Sequence, residues 1–293
     1  MSYLSNLGLL SVKGPDAKSF LQGQVTCNLN EVSPTQSRLG AHCNLQGRML
    51  SIFRIYQANE ALDNPQYILS MPASMVPLAL HNFKKYALFS KVSIDDVSAT
   101  LTVMGENGAT LQDKALKELQ INECIHKKLA QGNQIICRIP GVQPRFEVIA
   151  TLPIAAQIEG QSSHEWELQD IQAGIPTIYP ETASLILPHH ANLSLLGGIS
   201  YDKGCYLGQE IIARMQYRGN IKKQMVAAFL PEGNPAPTPG TPVFAHETTG
   251  MVVRAAPMQS GYALLVILDS TAANLENVHL FSLDGPLLTA LQV

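Results

Sequence analysis

One cysteine in a glycine-rich stretch is the strongest candidate for chemistry in this sequence. Cys205 lies in the run KGCYLGQE at 203–210, where glycines let the backbone turn tightly and let a ligand approach. Lys203 stands two residues before it, and a nearby ammonium favours the thiolate form of a cysteine. A helix is expected to begin near Glu210, and its dipole would act in the same direction. The pattern is typical of a reactive thiol, but a small buried cysteine is the alternative interpretation.

The same region is locally basic. From Asp202 to Lys223 there are five basic and two acidic side chains, a local charge of +3 on a chain whose net charge is −3. Arg214 and Arg218 are therefore candidates for holding an anion, such as a phosphate or a carboxylate. A solvated face is the alternative interpretation of such a run.

Composition and length exclude several classes of protein. The 293 residues, 46% of them hydrophobic, can bury a large core in one large or two smaller domains. The net charge of −3 gives no bulk attraction to nucleic acid or to an anionic membrane. No two of the five cysteines have the spacing of a local zinc or iron–sulfur motif. Without a signal peptide or a long apolar run, we expect a cytoplasmic protein with no membrane segment and no metal.

Strand and helix patterns alternate in two rounds before residue 223, which indicates a duplicated α+β architecture. The expected strands are 7–13, 39–45, 49–56, 67–71, 91–95, 100–104, 134–139 and 145–151. The expected helices are a short one from residue 17, then 72–88, 110–119 and 165–173.

Helix patterns disappear after residue 223, where several prolines mark a turn-rich segment. The expected short strands are 224–230, 242–245, 250–255, 262–268 and 278–283. Such a series is typical of a small β-barrel or sandwich. We therefore predict two domains, 1–223 and 224–293.

The run KGCYLGQE resembles the signature of the YgfZ family, and the resemblance continues through the next two arginines to Gly219. It extends across the first domain through SFLQGQVT, GAHCNLQGRM, KKYALFSKVSI and WELQDIQAGIP. The C-terminal region matches the family only in length and type.

The resemblance implies an aminomethyltransferase-like fold, with a folate-binding domain of duplicated ferredoxin-like units followed by a small β-barrel. It implies binding of tetrahydrofolate or another folate, support of iron–sulfur client enzymes, and a role in tRNA modification, notably thiolation. On the family motif, Cys205 would be the working thiol with Lys203 beside it. The residues expected to contact folate or fix the loop are Tyr206, Gln209, Glu210, Arg214 and Arg218.

Five further residues carry expectations. Trp166, the only tryptophan, stands where the family places a folate-associated tryptophan, and its flat ring suits stacking on a pterin. An ordinary core aromatic is the alternative. Leu7 occupies a position where some relatives carry a second tryptophan, which would make one side of the site aliphatic. His189 and its neighbour His190 are expected in a surface loop. Arg145 is a candidate anion partner or a member of a surface ion pair.

Glycine cleavage is not expected. Aminomethyltransferases need a carboxylate near the folate nitrogens, and Ser51 and Ile52 stand where their motif has aspartates. Three hypotheses remain: a folate-dependent accessory factor that uses Cys205, a tetrahydrofolate-dependent one-carbon transferase with an unknown acceptor and Glu210 as base, and an RNA-binding module. No aromatic–basic motif for single strands is present, so the third is weakest, and direct nucleic-acid contact is not expected.

Overall fold

The computed structural model describes residues 2–59, 61, 63–108, 114–129, 132–151, 163–219, 221–245, 248–272 and 276–291. The strands in these ranges are β1 (Ser2–Tyr3), β2 (Leu7–Lys13), β3 (Arg38–Cys43), β4 (Met49–Gln57), β5 (Gln66–Pro72), β6 (Ser93–Asp96), β7 (Leu101–Asn107), β8 (Cys124–Leu129), β9 (Gly132–Ile139), β10 (Arg145–Thr151), β11 (Lys223–Pro231), β12 (Pro242–Ala245), β13 (Thr248–Met258), β14 (Gly261–Asp269), β15 (Val278–Leu280) and β16 (Thr289–Ala290). The α-helices there are α1 (Ala17–Gln24), α2 (Val76–Tyr86), α3 (Lys114–Glu118), α4 (Ser163–Gln172) and α5 (Gln209–Arg218).

The first sheet is antiparallel, in the order β3-β4-β5-β2-β6. The strands β2, β3, β4 and β5 are almost continuously buried, whereas the edge strand β6 is mostly exposed. Helix α1 buries Ala17, Phe20 and Leu21, the helical spacing seen in the sequence, and α2 buries Ala79 and Phe83 on one face. These side chains form the largest core of the protein with the strands.

The second sheet, also antiparallel, has the order β1-β7-β10-β9-β8. Its central strand, β10, is buried at every residue from Arg145 to Ala150, and this burial includes two charged side chains. Helix α4 buries Trp166, Asp170 and Ile171. Because positions 166 and 170 are one helical turn apart, both side chains lie on the same face of α4.

The third sheet follows in the order β15-β12-β13-β14-β11-β16 and forms a curled half-barrel. Met225, Val253 and Leu265 belong to the same core as the first sheet, and α4 packs on β13. No helix within the described ranges combines the length and apolar character needed to cross a bilayer.

The expected α+β fold with a C-terminal β unit is confirmed. Three strands, β2, β10 and β12, have the predicted bounds. The predicted helix at 72–88 is shorter, because residues 73–75 form a 3₁₀ turn and the helix ends at Tyr86. Strands β1, β8 and β16 were not predicted. The predicted helix start at 110–113 lies outside the described residues, and the division at residue 223 stays a prediction.

Candidate functional site

A pocket of about 310 Å³ takes its lining from all three sheets and from α4. Ile52 on β4, Glu147 on β10, Trp166 on α4 and Arg254 on β13 all contribute to its wall. The volume is at the lower end of the range for small-molecule sites, about 300–1,000 Å³. The pocket can enclose a compact ring system, and a longer ligand would extend out of it.

The ring of Trp166 is held in a fixed orientation at the pocket wall. The side chain is only 6% exposed, and the guanidinium carbon of Arg145 lies 4.7 Å from the ring centroid. Gly105 on β7 lets the backbone reach the ring, since a Cβ there would lie 2.6 Å from two ring carbons. Leu7 lines the same pocket. Because Arg145 covers one face of the indole, the remaining surface of the ring is what a ligand can meet.

Asp170 joins two arginines from different sheets. Its Oδ1 accepts a hydrogen bond from Arg145 Nη2 on β10, and its Oδ2 lies 2.8 Å from Arg254 Nη2 on β13. Burial alone would raise the pKa of Asp170, but the charges of Arg254 and Arg145 outweigh it and hold that pKa below its ordinary value. Arg145 is 1% exposed, so the expectation of a surface ion pair there is wrong.

Glu147 and Arg254 are two charged lining residues that the sequence analysis missed. They are 6% and 3% exposed, and the structure gives no hydrogen-bond partner to Glu147 Oε1 or Arg254 Nε within its described ranges. Burial raises the pKa of the Glu147 carboxyl, although the charge of Arg54 opposes the shift. Arg145 and Glu147 alternate with apolar residues, which is the pattern of a strand with one solvated face, so the local sequence did not indicate that both charges are buried.

The two positions that are aspartates in the aminomethyltransferase motif provide no carboxylate in this chain, as the sequence indicates. Ile52 lines the pocket with an apolar side chain, and Ser51 is buried on the other face of β4. Glu147 on β10 supplies a carboxyl group to the pocket instead. The chain therefore differs from the aminomethyltransferase motif at residues 51 and 52 but has the carboxyl group of Glu147 in the pocket lining.

The signature loop is fixed by backbone contacts to the first unit. The amide of Leu207 donates to the carbonyl of Gly23 at 3.1 Å. Gly208, with φ of +80°, begins α5, and a Cβ there would lie 2.5 Å from the carbonyl oxygen of Asn44. A left-handed backbone and this close approach both require glycine at position 208. The amide of Tyr206 donates to Gln209 Oε1 at 3.2 Å, so Gln209 fixes the loop.

Lys203 does not point to the thiol that it precedes. Its Nζ donates to the carbonyl oxygens of Val25 and Cys27, at 2.8 Å each, and lies 4.8 Å from the centroid of the Tyr206 ring. Burial lowers the pKa of Lys203 to about 8. The cysteine whose thiol feels this charge is Cys27, while Cys205 is exposed. The structure thus gives Lys203 a role in holding the loop.

The predicted site residues lie in two separate places, the Trp166 pocket and the signature loop with α5. Trp166 lines the pocket, whereas none of the predicted loop residues, Cys205 included, is part of its lining. Tyr206 is buried in the main core. Glu210 is exposed and pairs with Arg214 at 3.0 Å, and Arg218 is exposed at the end of α5. Cys205 and Trp166 therefore do not line the same pocket.

Comparisons with known proteins agree with the signature. The chain is 31% identical over 230 residues to the tRNA-modifying protein YgfZ of Colwellia psychrerythraea, which covers 76% of this chain and 69% of that protein. It is 32% identical over 263 residues to the protein of the same name from Vibrio vulnificus, covering 87% and 77%. The chain belongs to the YgfZ family. No protein-family model matches it.

The fold of this YgfZ family member is that of an aminomethyltransferase. The glycine cleavage system aminomethyltransferase T of Bartonella henselae superposes with a TM-score of 0.70 at 15% identity. The match covers 99% of this chain and 84% of that structure, so it includes the C-terminal half-barrel.

The two histidines that precede the YgfZ signature are less exposed than expected. His189 is buried, and its Nε2 lies 3.0 Å from the hydroxyl of Tyr201. Burial lowers the pKa of His189, and burial together with the charge of Lys223 lowers the pKa of His190 to about 4. The expectation of surface-loop histidines is wrong for His189, because its 3₁₀ turn packs against the loop that leads to the signature.

Proposed function

We propose that this chain is a folate-binding accessory factor for tRNA modification, which binds the pterin of a folate in the Trp166 pocket and uses Cys205 at the surface. In this proposal it supports iron–sulfur client enzymes, including those that thiolate tRNA, in the cytoplasm. The observation that carries the folate part is the buried carboxyl group of Glu147, which lines the pocket beside Trp166 and whose Oε1 makes no close hydrogen bond to a described residue.

The residues of the pocket fit a pterin by their chemistry. A pterin presents N–H donors on one edge, and the Glu147 carboxylate can accept from them as well as from the hydroxyls of Ser70 and Tyr56, because a carboxylate accepts several hydrogen bonds. Leu7, Ile52 and the ring of Trp166 offer apolar contact to a flat ring system. Satisfying a buried acceptor in this way favours binding, because a buried polar group without a partner costs about 1–3 kcal/mol.

Arg254 suits the anionic part of the same ligand. Its Nη1 donates to Thr177 Oγ1 at 3.0 Å and its Nη2 pairs with Asp170, but its Nε has no partner in the described residues. A second cavity shares Ser74 and Tyr179 with the pocket and continues beside the third sheet. We therefore expect the glutamate tail of a folate to leave the pocket past Arg254.

The role in tRNA modification is supported by the names of the relatives and by the exposure of Cys205. The relatives are named as tRNA-modifying proteins. In this chain Cys205 is the exposed member of the five cysteines, at the tip of a loop that backbone contacts hold in place. An exposed thiol on a rigid loop can meet a protein partner, which a thiol inside the Trp166 pocket could not.

A one-carbon transferase is the second candidate function, and one observation favours it. Bound tetrahydrofolate would supply a carrier for a one-carbon unit. Burial raises the pKa of Glu147, and a carboxyl with a raised pKa is better suited to proton transfer than an ordinary exposed one. Glu210, the base expected from the sequence, is exposed and outside the pocket lining, so Glu147 replaces it in this hypothesis. Turnover of methylene-tetrahydrofolate that Glu147→Gln abolishes would select this alternative.

Calorimetry tests the folate part of the proposal. Tetrahydrofolate, protected by a reductant, is titrated into the wild-type protein, Trp166→Ala and Phe89→Ala. Phe89 is a matched control because its aromatic side chain is fully exposed and lies outside the pocket lining. We expect micromolar binding that Trp166→Ala weakens at least tenfold and Phe89→Ala leaves unchanged. Absence of binding at millimolar ligand would overturn the folate proposal.

A further inference from the structure

Cys124 and Cys137 face each other across the β8–β9 hairpin of the second sheet. The amide of Cys124 donates to the carbonyl of Thr35 at 2.9 Å, so the two cysteines form a non-hydrogen-bonded pair of the ladder. Cα atoms in such a pair are about 4.5 Å apart, within the range of about 4.4–6.8 Å that a disulfide spans. Both thiols are free and buried.

Both sulfur atoms contact the same backbone carbonyl group. Each thiol donates to the carbonyl oxygen of Asn122, at 3.7 Å from Cys124 and 3.6 Å from Cys137. In the other orientation of its single S–H, Cys137 donates to the Cys124 sulfur, and this hydrogen bond lowers the pKa of the Cys124 thiol despite its burial. A thiol with a lowered pKa next to a second thiol is the arrangement in which oxidation leads to a disulfide.

A short chain of hydrogen bonds joins this pair to the wall of the Trp166 pocket. Ser37 Oγ lies 3.0 Å from Cys137 Sγ and donates to the carbonyl of Asn122 at 3.2 Å. The guanidinium of Arg54 donates to Asn122 Oδ1 and to Ser37 Oγ, the latter at 3.5 Å. Arg54 lines the pocket together with Glu147 and Trp166.

We propose that Cys124 and Cys137 form a thiol oxidation site, at which a peroxide closes a disulfide that changes the position of Arg54 in the pocket wall. Closure removes both S–H donors from the carbonyl of Asn122 and one sulfur contact from Ser37. These are the residues that hold the guanidinium of Arg54. The inference does not depend on which ligand the pocket binds.

The reaction balances with hydrogen peroxide as the oxidant. The Cys124 thiolate attacks one peroxide oxygen, and the O–O bond breaks. The Cys124 sulfur becomes a sulfenic acid, and the second peroxide oxygen leaves as hydroxide. The Cys137 sulfur then attacks the sulfenic sulfur, the S–O bond breaks, and water leaves as the S–S bond forms. The two thiol protons end in two water molecules, and the two electrons reduce the peroxide.

Peptide mapping of the native full-length protein tests the oxidation site. The protein is treated with hydrogen peroxide, its remaining thiols are alkylated, and the digest is analysed by mass spectrometry before and after reduction. We expect a reducible cross-link between the peptides of Cys124 and Cys137, which persists in the control Cys43→Ala and is lost in Cys124→Ser. Oxidation of Cys205 with no cross-link in the wild-type protein would overturn the proposal, and this result needs no variant to fold.

Fluorescence of Trp166 tests the link to the pocket, because it is the only tryptophan and lines the pocket with Arg54. We expect the emission to change on oxidation of the wild-type protein, to return on reduction, and to stay constant in peroxide-treated Cys124→Ser. A cross-link with unchanged emission would overturn the coupling to Arg54 and leave the oxidation site standing. Neither result bears on folate binding, which the calorimetry measures separately.

Discussion

The guanidinium of Arg145 lies over the ring of Trp166, 4.7 Å from the ring centroid, and also pairs with Asp170 one helical turn further along α4. One arginine on β10 therefore fixes both the aromatic wall of the pocket and the carboxylate that reaches the third sheet. The aromatic contact and the ion pairs form one buried unit. A change at any member is expected to affect the others.

Asp170→Asn removes the charge that compensates two buried arginines. Because both guanidinium groups stay buried, we expect a loss of about 3–5 kcal/mol in the free energy of unfolding. Denaturant unfolding measures this loss. Glu210→Gln is the control, since it removes an exposed pair and should change stability by less than about 1 kcal/mol. Equal, small effects of the two variants would show that the ion pairs of Asp170 with Arg145 and Arg254 contribute little to the free energy of unfolding.

Gly105→Ala places a methyl group against the indole of Trp166. A Cβ there would lie 2.6 Å from the ring, so the ring or the strand must move, and we expect a loss of about 1–3 kcal/mol with a shift in tryptophan emission. Gly23→Ala in α1 is the control, because no atom lies within 4 Å of its Cβ and alanine suits a helix. An unchanged emission spectrum in Gly105→Ala would contradict the described packing of Trp166.

His42 gives the protein a stability that depends on pH. It stacks on Phe83 at 4.5 Å between ring centroids, neither ring nitrogen has a partner in the described residues, and burial lowers its pKa to about 4. Between pH 4 and 6.5 the unfolded state binds this proton and the folded state does not, so stability falls as pH falls, by about 1.4 kcal/mol per pH unit.

Replacing His42 by leucine removes this dependence. Urea unfolding of His42→Leu across pH 4.5–6.5 should show a slope that is shallower than the wild-type slope by about 1.4 kcal/mol per pH unit. The remaining slope belongs to other groups, including His190, whose pKa is also about 4. Identical slopes in the two proteins would mean that His42 is not buried as a neutral ring.

Cys205→Ser separates the surface thiol from the pocket. Because Cys205 is exposed and outside the pocket lining, we expect the variant to bind tetrahydrofolate within twofold of wild type. In a strain that lacks the protein, the same variant should fail to restore thiolated nucleosides in tRNA, as measured by mass spectrometry. The buried Cys43→Ala is the control and should restore them. Full restoration by Cys205→Ser would reject a functional role for this thiol.

The fold could be predicted from local patterns and from the signature, whereas the site required long-range contacts. The local pattern of apolar residues marks strands such as β10, so their bounds could be predicted from the sequence. The role of Arg145 could not, because it depends on Asp170 from α4 and on the ring of Trp166. Arg254 joins this unit from β13, 84 residues beyond its partner Asp170 along the chain.

The signature loop shows a second limit of sequence analysis. Lys203 and Cys205 are two residues apart, and their proximity predicted a direct interaction. The Lys203 ammonium instead donates hydrogen bonds to the carbonyl groups of Val25 and Cys27, because the loop packs against the segment after α1. Spacing within a loop gives no side-chain direction, since no regular period relates one residue to the next.

A fluorescence titration shows whether folate binds in the Trp166 pocket, because Trp166 is the only tryptophan and lies in the pocket wall. Tetrahydrofolate is added to the wild-type protein and to Glu147→Gln under reducing conditions, with tryptophan emission as the readout. We expect a saturable change in tryptophan emission with one ligand per chain, and we expect Glu147→Gln to shift this change to at least tenfold higher ligand concentration. Binding detected by calorimetry with no change in Trp166 emission would place the folate elsewhere and contradict the account.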